Sequence, residues 1–265
     1  MKTLFCLADV HGFYDEMLSA LDSNEFDINN NDHIIVHCGD LLDRGNKPLE
    51  CLQFMNSIPD NRKILIRGNH EDLLEELFHR GYWMMHDVHN GTDKTVCDIA
   101  NMYEPFDREK IYAAIMKCSE NEELRQYLDS IVDYAEIGDY VFVHGWIPTT
   151  FNDGILIHKY EIDNYWKEGN WEKARWLNGM KEWSQGYTLE NKTIVCGHYH
   201  TSWGHTFLHN SGIEWDDEYY IDSSEDVRAH FEPFIDKGII ALDQCVAYSG
   251  IVNCYKIEIE DDLWQ

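Results

Sequence analysis

Five groups of acidic, histidine and asparagine residues lie between Asp9 and His200, and these side-chain types are common metal ligands. In chain order the groups read Asp9-Val-His11, Gly39-Asp40-Leu-Leu-Asp43-Arg44-Gly45, Gly68-Asn69-His70-Glu71, His144-Gly145 and Gly197-His198-Tyr-His200. Most of them follow a short apolar run of the kind that forms a buried strand. Strand ends that deliver such ligands to one edge of a sheet predict a polynuclear metal site, and therefore an enzyme.

The donor atoms narrow the choice of metal. Hard carboxylate oxygens combined with imidazole nitrogens suit manganese, iron or zinc. The eight cysteines do not cluster with these histidines, and none belongs to a Cys-x-x-Cys pair. A zinc site built on thiolates is therefore disfavoured.

The elements that must position these residues can be predicted from apolar periodicity. Strands are predicted at residues 3–8, 32–38, 63–66 and 193–196, with two more inside 131–143 that meet at a turn. Helices are predicted at residues 13–24, 48–57, 70–80 and 171–183. A closing β-meander is predicted over residues 238–260, with its middle strand at 246–249. Strand–helix alternation at the front and a run of strands at the back predict two facing sheets with helices outside.

Domain organisation follows from the same pattern. We expect one domain over residues 1–265, with a helical insertion at 81–130 and a second insertion at 201–233 that could fold over the site as a lid. The oligomeric state stays open.

Composition excludes some partners. The chain has 21 basic and 49 acidic residues and a net charge of −28, which repels long nucleic acids and anionic membranes. The first apolar run stops at Asp9, too short for a signal peptide, and no run approaches membrane-spanning length. We expect a reducing, cytoplasmic location, without a disulfide framework.

The set of motifs resembles the calcineurin-like metallophosphoesterases, and within them the phosphoprotein phosphatase branch. The Asp43-Arg44-Gly45 ending and Arg67 before Gly-Asn-His-Glu are similar to that branch. Bacterial and phage Ser/Thr phosphatases and symmetrical dinucleoside tetraphosphatases share these features. The resemblance implies a four-layer α/β/β/α sandwich with two divalent metal ions, Mn²⁺ first and iron or zinc as alternatives.

The resemblance also implies a ligand set. The first metal would be held by Asp9 and His11, both metals by Asp40, and the second metal by Asn69, His144 and His198. His200 is either a ligand of the first metal or a histidine that faces the substrate or supports a ligand. Two cations sharing Asp40 would lie ~3.5–4 Å apart, and water between them would attack phosphorus.

The remaining residues of the motifs have predicted roles around the phosphate. Arg44 and Arg67 can donate bidentate hydrogen bonds to phosphate oxygens. His70 is the candidate general acid, and Asp43 would orient it and raise its pKa. The arginine at position 175 is either a third phosphate-binding arginine or a solvated helix residue.

The predicted function is therefore hydrolysis of a phosphomonoester by two metal ions. The leading substrate is a phosphorylated serine or threonine side chain, with phosphotyrosine as a further candidate. The alternative is a nucleotide hydrolase, such as a symmetrical dinucleoside tetraphosphatase or a cyclic-nucleotide phosphodiesterase. A non-catalytic scaffold is disfavoured, because the chain retains the complete ligand set and the candidate acid.

Overall fold

The structure, a computed structural model, describes residues 1–103, 107–152, 155–157, 165–208 and 231–264. The strands are β1 Lys2–Leu7, β2 His33–His37, β3 Lys63–Leu65, β4 Ala135–Ile137, β5 Tyr140–Phe142, β6 Thr150–Asn152, β7 Ile155–Ile157, β8 Thr193–Cys196, β9 Phe234–Asp236, β10 Ile239–Ala241 and β11 Tyr255–Ile259. The helices are α1 Tyr14–Ser23, α2 Pro48–Ser57, α3 Asn69–Arg80, α4 Met85–Asn90, α5 Thr92–Ile99, α6 Arg108–Ser119, α7 Glu122–Ser130, α8 Trp171–Ala174, α9 Gly179–Ser184, α10 Thr201–Phe207 and α11 Val246–Ser249.

The first sheet has the strand order β11-β1-β2-β3. Strands β1, β2 and β3 run parallel, and β11 runs antiparallel to β1 at the edge. Because parallel strands end at the same edge of a sheet, the segments that follow them meet there. Asp9 follows β1, Asp40 follows β2 and Asn69 follows β3.

The second sheet has the order β4-β5-β8-β10-β9. Its three central strands β5, β8 and β10 are parallel, and the outer strands are antiparallel to them. His144 follows β5 and His198 follows β8. Strands β6 and β7 pair with each other as a separate antiparallel hairpin.

Three apolar clusters define four layers. The first cluster lies between the sheets and joins inward residues of both, including Leu4, Val36, Phe142, Val195 and Ile240. Another cluster packs the opposite face of the first sheet against α1, α2, α3, α5, α6 and α7. The last packs the opposite face of the second sheet against α8 and α9, with Trp146, Trp166 and Trp171. The predicted four-layer sandwich of two mixed sheets is confirmed.

Helix α3 carries two site residues at its first turn. Gly68 precedes it in an extended conformation, and the Glu71 side chain accepts a hydrogen bond from the Gly68 amide at 2.8 Å. This arrangement satisfies one of the free amides at the helix start. Gly81, with φ of 72°, ends the helix in the left-handed conformation that favours glycine.

Two predicted elements differ from the structure. Residues 246–249 form the short helix α11 and not a strand, and the strands on either side, β10 and β11, belong to different sheets, so the expected β-meander is wrong. This helix is bounded by Cys245 and Gly250, whose φ angles of 51° and 67° turn the chain sharply at both ends. The single helix predicted over residues 171–183 is divided into α8 and α9.

The two predicted insertions are described to different extents. Helices α4 to α7 occupy the range of the helical insertion, apart from residues 104–106, which lie outside the described part of the chain. Helix α10 begins the second insertion, but residues 209–230 of the predicted lid lie outside the described residues. Among the helices that are described, none is long and apolar enough to cross a membrane.

Candidate metal centre and active site

The loops that carry the motifs hold several non-glycine residues at positive φ. Asp9 and His11 have φ of 51°, Asp40 has 59°, Asp43 has 72° and His198 has 67°. Such a conformation costs on the order of 1–3 kcal/mol for each residue unless the surroundings hold it. Backbone hydrogen bonds between the loops do so, including those from the Asp9 amide to the Gly39 carbonyl and from the His11 amide to the Asp40 carbonyl, both 3.0 Å.

Close packing around Asp40 requires glycine at position 68. A Cβ atom there would lie 2.0 Å from Oδ1 of Asp40 and 2.5 Å from its backbone nitrogen. No side chain fits at these distances. The glycine of the Gly-Asn-His-Glu motif thus lets the start of α3 approach the Asp40 loop.

Asp40 lies at the centre of the histidines. Its Oδ2 atom is 3.8 Å from Nε2 of His11 and 3.8 Å from Nε2 of His70, and its Oδ1 atom is 3.4 Å from Nε2 of His144. Burial opposes ionisation of this carboxyl, but His144 and His70 together hold its pKa well below the usual range. Asp40 is therefore an ionised carboxylate whose two oxygens face two different histidine groups.

Two groups of candidate ligands share this carboxylate. His11, Asp40 and His70 form one group and Asp40, His144 and His198 the other, with the ligand atoms of each group within 4.8 Å of one another. Oδ1 of Asn69 lies 2.8 Å from Nε2 of His144 and 2.9 Å from Nδ1 of His198. The residues predicted for the second metal thus converge on one point.

Two histidines are oriented by backbone groups as metal-binding histidines usually are. Nδ1 of His11 contacts the Leu42 carbonyl at 2.9 Å, and Nδ1 of His144 contacts the Cys38 carbonyl at 2.8 Å. These two rings therefore each have one nitrogen on the backbone and direct the other toward Asp40.

The protonation of two of these rings also suits a cation. Burial lowers the pKa of His11 well below its usual value and lowers that of His198 to about 3. A neutral imidazole has the free lone pair that a metal requires. The donor set, with neutral imidazoles at His11 and His198, an amide oxygen and a shared carboxylate, therefore fits a pair of divalent cations.

Asp9 lies beside this cluster but in neither of the two groups. Its carboxylate accepts a hydrogen bond from the His198 amide, at 2.9 and 3.1 Å for the two oxygens. Burial, then repulsion by Asp243 and Asp40, raises its pKa well above the usual value. Its predicted role as a ligand of the first metal stays a prediction.

His70 contacts Asp43, its predicted partner. Nδ1 of His70 is 2.7 Å from Oδ2 of Asp43. Burial opposes protonation of the ring, but Asp40 and then Asp43 raise the pKa of His70 above its usual value. The hydroxyl of Thr92 donates to the same Asp43 oxygen at 2.6 Å, and Thr95 accepts from the Asp43 amide at 3.0 Å.

The arginines surround this centre unequally. Arg44 is exposed, and its charge reaches Asp9, whose pKa it lowers against the larger opposing effects. Arg67 pairs with Asp72 and Glu75. Arg175 is 8% exposed and donates to Asp72 at 2.8 and 3.2 Å, so it is not a solvated helix residue. Asp72 thus brings the guanidinium groups of Arg67 and Arg175 together.

His200 precedes α10 and belongs to neither candidate metal group among the described residues. Its assignment as a ligand stays a prediction, as does the alternative.

Sequence reasoning assigned no role to two buried acids. Glu71 is fully buried, and its carboxylate accepts from the amides of Asp40 and Leu41 at 3.1 Å and from the hydroxyl of Tyr127 at 3.0 Å. Asp243, 4% exposed, follows β10 and raises the pKa of Asp9. Its position after an apolar run, like those of Asp9 and Asp40, was the signal available for it.

Comparison with known proteins supports the same chemistry. A family model described as calcineurin-like phosphoesterase matches residues 2–221. A symmetrical bis(5′-nucleosyl)-tetraphosphatase of Buchnera aphidicola is 38% identical over 78 residues, which are 29% of this chain and 27% of that protein. The asymmetrical bis(5′-nucleosyl)-tetraphosphatase PrpE of Bacillus velezensis is 26% identical over 204 residues, covering 72% of this chain and 75% of that protein.

The match to the first of these relatives spans about a quarter of its length. Among solved structures, the cold-active protein-tyrosine phosphatase of a psychrophilic Shewanella is similar, with a TM-score of 0.51 and 18% identity. The alignment covers 97% of this chain and 76% of that one, and at this identity it shows a shared fold alone.

Proposed function

Because the chain belongs to the calcineurin-like phosphoesterase family, and is thus a metal-dependent phosphoesterase, we propose that it hydrolyses bis(5′-nucleosyl) tetraphosphates. Asp40 carries the proposal of a two-metal site, since its two oxygens face two separate histidine groups. The substrate is supported by relatives named as tetraphosphatases of both the symmetrical and the asymmetrical kind. The two arginines that contact Asp72, the half-buried Arg67 and the buried Arg175, suit a substrate with several phosphates.

The proposed ligands follow the predicted set. Asp9, His11 and Asp40 would hold the first cation, and Asp40, Asn69, His144 and His198 the second. Manganese is the proposed metal, with iron and zinc as alternatives. Bound divalent cations supply Lewis-acid activation of water and neutralise charge on the phosphate.

The protein's own residues would bind the phosphate and move a proton. Arg44, Arg67 and Arg175 would donate hydrogen bonds to the phosphate oxygens that carry the developing charge. His70 would protonate the leaving oxygen from Nε2, since its Nδ1 is held by Asp43. A nucleoside polyphosphate leaves as a weak base, so it needs this proton less than a serine alkoxide does.

A phosphorylated serine or threonine, with tyrosine as a further candidate, is the second proposed substrate. The observation that favours it is the His70–Asp43 pair, whose raised histidine pKa suits protonation of a poor leaving group. The named relatives favour the dinucleotide over this substrate. No described contact favours a cyclic nucleotide.

A turnover screen distinguishes the two substrates. The full chain, loaded in parallel with manganese, zinc or iron, is assayed on bis(5′-adenosyl) tetraphosphate and on phosphoserine, phosphothreonine and phosphotyrosine peptides. We expect kcat/KM for the dinucleotide to exceed that for each peptide at least tenfold. Two molecules of ADP would identify symmetrical cleavage, and ATP with AMP asymmetrical cleavage. The reverse order of kcat/KM would reject the nucleotide proposal, and an Asp40→Asn variant controls for contaminating phosphatases.

A further inference from the structure

Trp176 lies at the rim of the candidate metal centre. Its ring lies 5.8 Å from the His198 ring, measured between centroids, with the two planes at 82°. The indole is therefore held next to a proposed ligand of the second metal.

The exposure of this indole sets it apart from other tryptophans of the same layer. Trp146 is fully buried and Trp166 and Trp171 are each 8% exposed, whereas Trp176 is 52% exposed. Half-exposed tryptophans are common on protein surfaces. Next to a candidate binding site, however, the exposed face of the indole is open to contact with a ligand.

The residue before Trp176 is Arg175, which contacts the acidic side chain of Asp72. Asp72 also pairs with Arg67. Consecutive residues thus place a guanidinium against Asp72 and Asp133 and an aromatic ring next to His198. A nucleotide has the matching chemistry, with phosphates that a guanidinium binds and a base that an aromatic ring stacks on.

The residue that follows His198 in the chain carries a second exposed aromatic ring. Tyr199 is 40% exposed, and its ring centroid is 6.4 Å from that of His198. It contacts Trp203, which contacts the 52% exposed Phe207 of α10. Two exposed aromatic rings, those of Trp176 and Tyr199, therefore lie next to His198, and Trp176 directly follows Arg175.

We propose that Trp176 stacks on a nucleobase of the substrate and so makes the site selective for nucleoside polyphosphates over base-free phosphates. This inference deepens the proposed function and rests on it for the identity of the ligand. Base–aromatic stacking is tolerant of base identity and contributes about 1–3 kcal/mol per base. Removal of the ring should therefore weaken nucleotide binding about tenfold and leave the phosphates bound as before.

The test uses two ligands that differ only by the nucleoside and that resist hydrolysis. These are adenosine 5′-(α,β-methylene)diphosphate and methylenediphosphonate, titrated calorimetrically into the manganese-loaded full chain. In Trp176→Ala we expect Kd for the adenosine ligand to rise about tenfold, while Kd for methylenediphosphonate stays within twofold. Trp176→Phe should restore most of the loss, because a phenyl ring still stacks.

Tyr112→Ala is the matched control. Tyr112 is also a half-exposed aromatic, at 54%, and it lies beside Gly81 at the end of α3 away from the site. We expect both dissociation constants to be unchanged in this variant.

Several outcomes would overturn the inference. These are equal weakening of both ligands in Trp176→Ala, no weakening of either, or equal affinity of the wild-type protein for the two ligands. A loss confined to a phosphopeptide titrated in parallel would assign the indole to peptide binding and reject it for nucleotides. Failure of the proposed function would be recognised separately, by a lower kcat/KM of the wild-type protein for the dinucleotide than for the phosphopeptides.

Discussion

At the scale of single residues, the central feature is the division of one carboxylate between two sets of ligands. The conformation of Asp40, with φ of 59°, directs Oδ2 toward His11 and His70 and Oδ1 toward His144. Among the described residues, the candidate group of His11 and Asp40 is completed by His70. The set predicted for the first metal contains Asp9 in place of His70. His70 is therefore either a general acid beside the metals or itself a ligand, and the two roles have different consequences.

We predict that His70→Asn retains two bound manganese ions and loses about 10²–10⁴-fold in kcat on a phosphoserine peptide, as expected for a general acid. The loss on the dinucleotide should be smaller, because its leaving group needs less protonation. Steady-state kinetics and metal analysis of the same preparation check both statements. A fall to one bound ion would make His70 a ligand, and full turnover would remove it from the mechanism.

Glu71 stabilises the loop that carries Asp40. Its carboxylate accepts hydrogen bonds from three backbone amides and from Tyr127. An amide in its place offers one acceptor oxygen fewer, and each buried donor left unpaired costs about 1–3 kcal/mol. We predict that Glu71→Gln lowers the free energy of unfolding by about 2–5 kcal/mol.

Urea unfolding of Glu71→Gln and Glu76→Gln measures this effect. Glu76 lies on the same helix, pairs with Arg80 and has a side chain that is 64% exposed, so its variant should change stability by less than about 1 kcal/mol. Equal midpoints for the two variants would show that the Glu71 hydrogen bonds contribute little.

Residues within the motifs could be predicted from the sequence, whereas their partners from distant elements could not. Asp43 and His70 belong to two motifs of the family resemblance, whose candidate roles already pair them. Thr92, which donates a hydrogen bond to Asp43, lies in a segment without a ligand pattern. A single threonine in a sequence does not indicate which residues it contacts in the fold. Arg175 was left open for the same reason, because only the fold brings it to Asp72.

At the scale of elements, helices α4 to α7 support the candidate catalytic residues. Helix α5 provides Thr92 and Thr95 to Asp43, and α7 provides Tyr127 to Glu71. The Arg44 amide also donates to the Asn90 carbonyl of α4 at 3.2 Å. These buried hydrogen bonds connect α4, α5 and α7 to the loops after β2 and β3.

We predict that Thr92→Val lowers kcat about tenfold without changing KM or metal content. The substitution keeps the side-chain volume but removes the hydroxyl that donates to Asp43. The Asp43 carboxylate is then less well oriented to hold His70. Thr92→Ser should restore activity, since the hydroxyl returns. An unchanged kcat in Thr92→Val, or failure of the serine variant to recover, would contradict a role for this hydrogen bond.

The strands and long helices were predictable because apolar periodicity fixes them locally, and β8 agrees with its predicted bounds. Residues 246–249 were mistaken for a strand because four residues are too few to show a period. The left-handed conformation at Cys245 that starts this helix has no signature in a cysteine. The division of residues 171–183 is likewise a tertiary effect, since α8 ends where Arg175 turns toward Asp72.

At the scale of the whole molecule, the site exists only where the two sheets meet. The first sheet supplies Asp9, Asp40 and Asn69, and the second supplies His144 and His198. Burial, and then repulsion by Asp243 and Asp40, raises the pKa of Asp9 where the sheets meet. Cations would relieve this repulsion and join the sheets.

We therefore predict that manganese raises Tm. At a concentration one hundred times Kd, a single site adds about 2.7 kcal/mol, which corresponds to a shift of about 5 to 10 °C for a chain of this size. Differential scanning calorimetry with and without chelator measures the shift, and Asp40→Asn should abolish most of it. A shift of the same size in that variant would place the stabilising cation elsewhere.

The most direct test of the two-metal site is anomalous diffraction from crystals grown with manganese. We predict two anomalous peaks about 3.5–4 Å apart, one on each side of the Asp40 carboxylate, with Asn69, His144 and His198 around one of them. A single peak, or two peaks that do not share Asp40, would contradict the proposed catalytic centre.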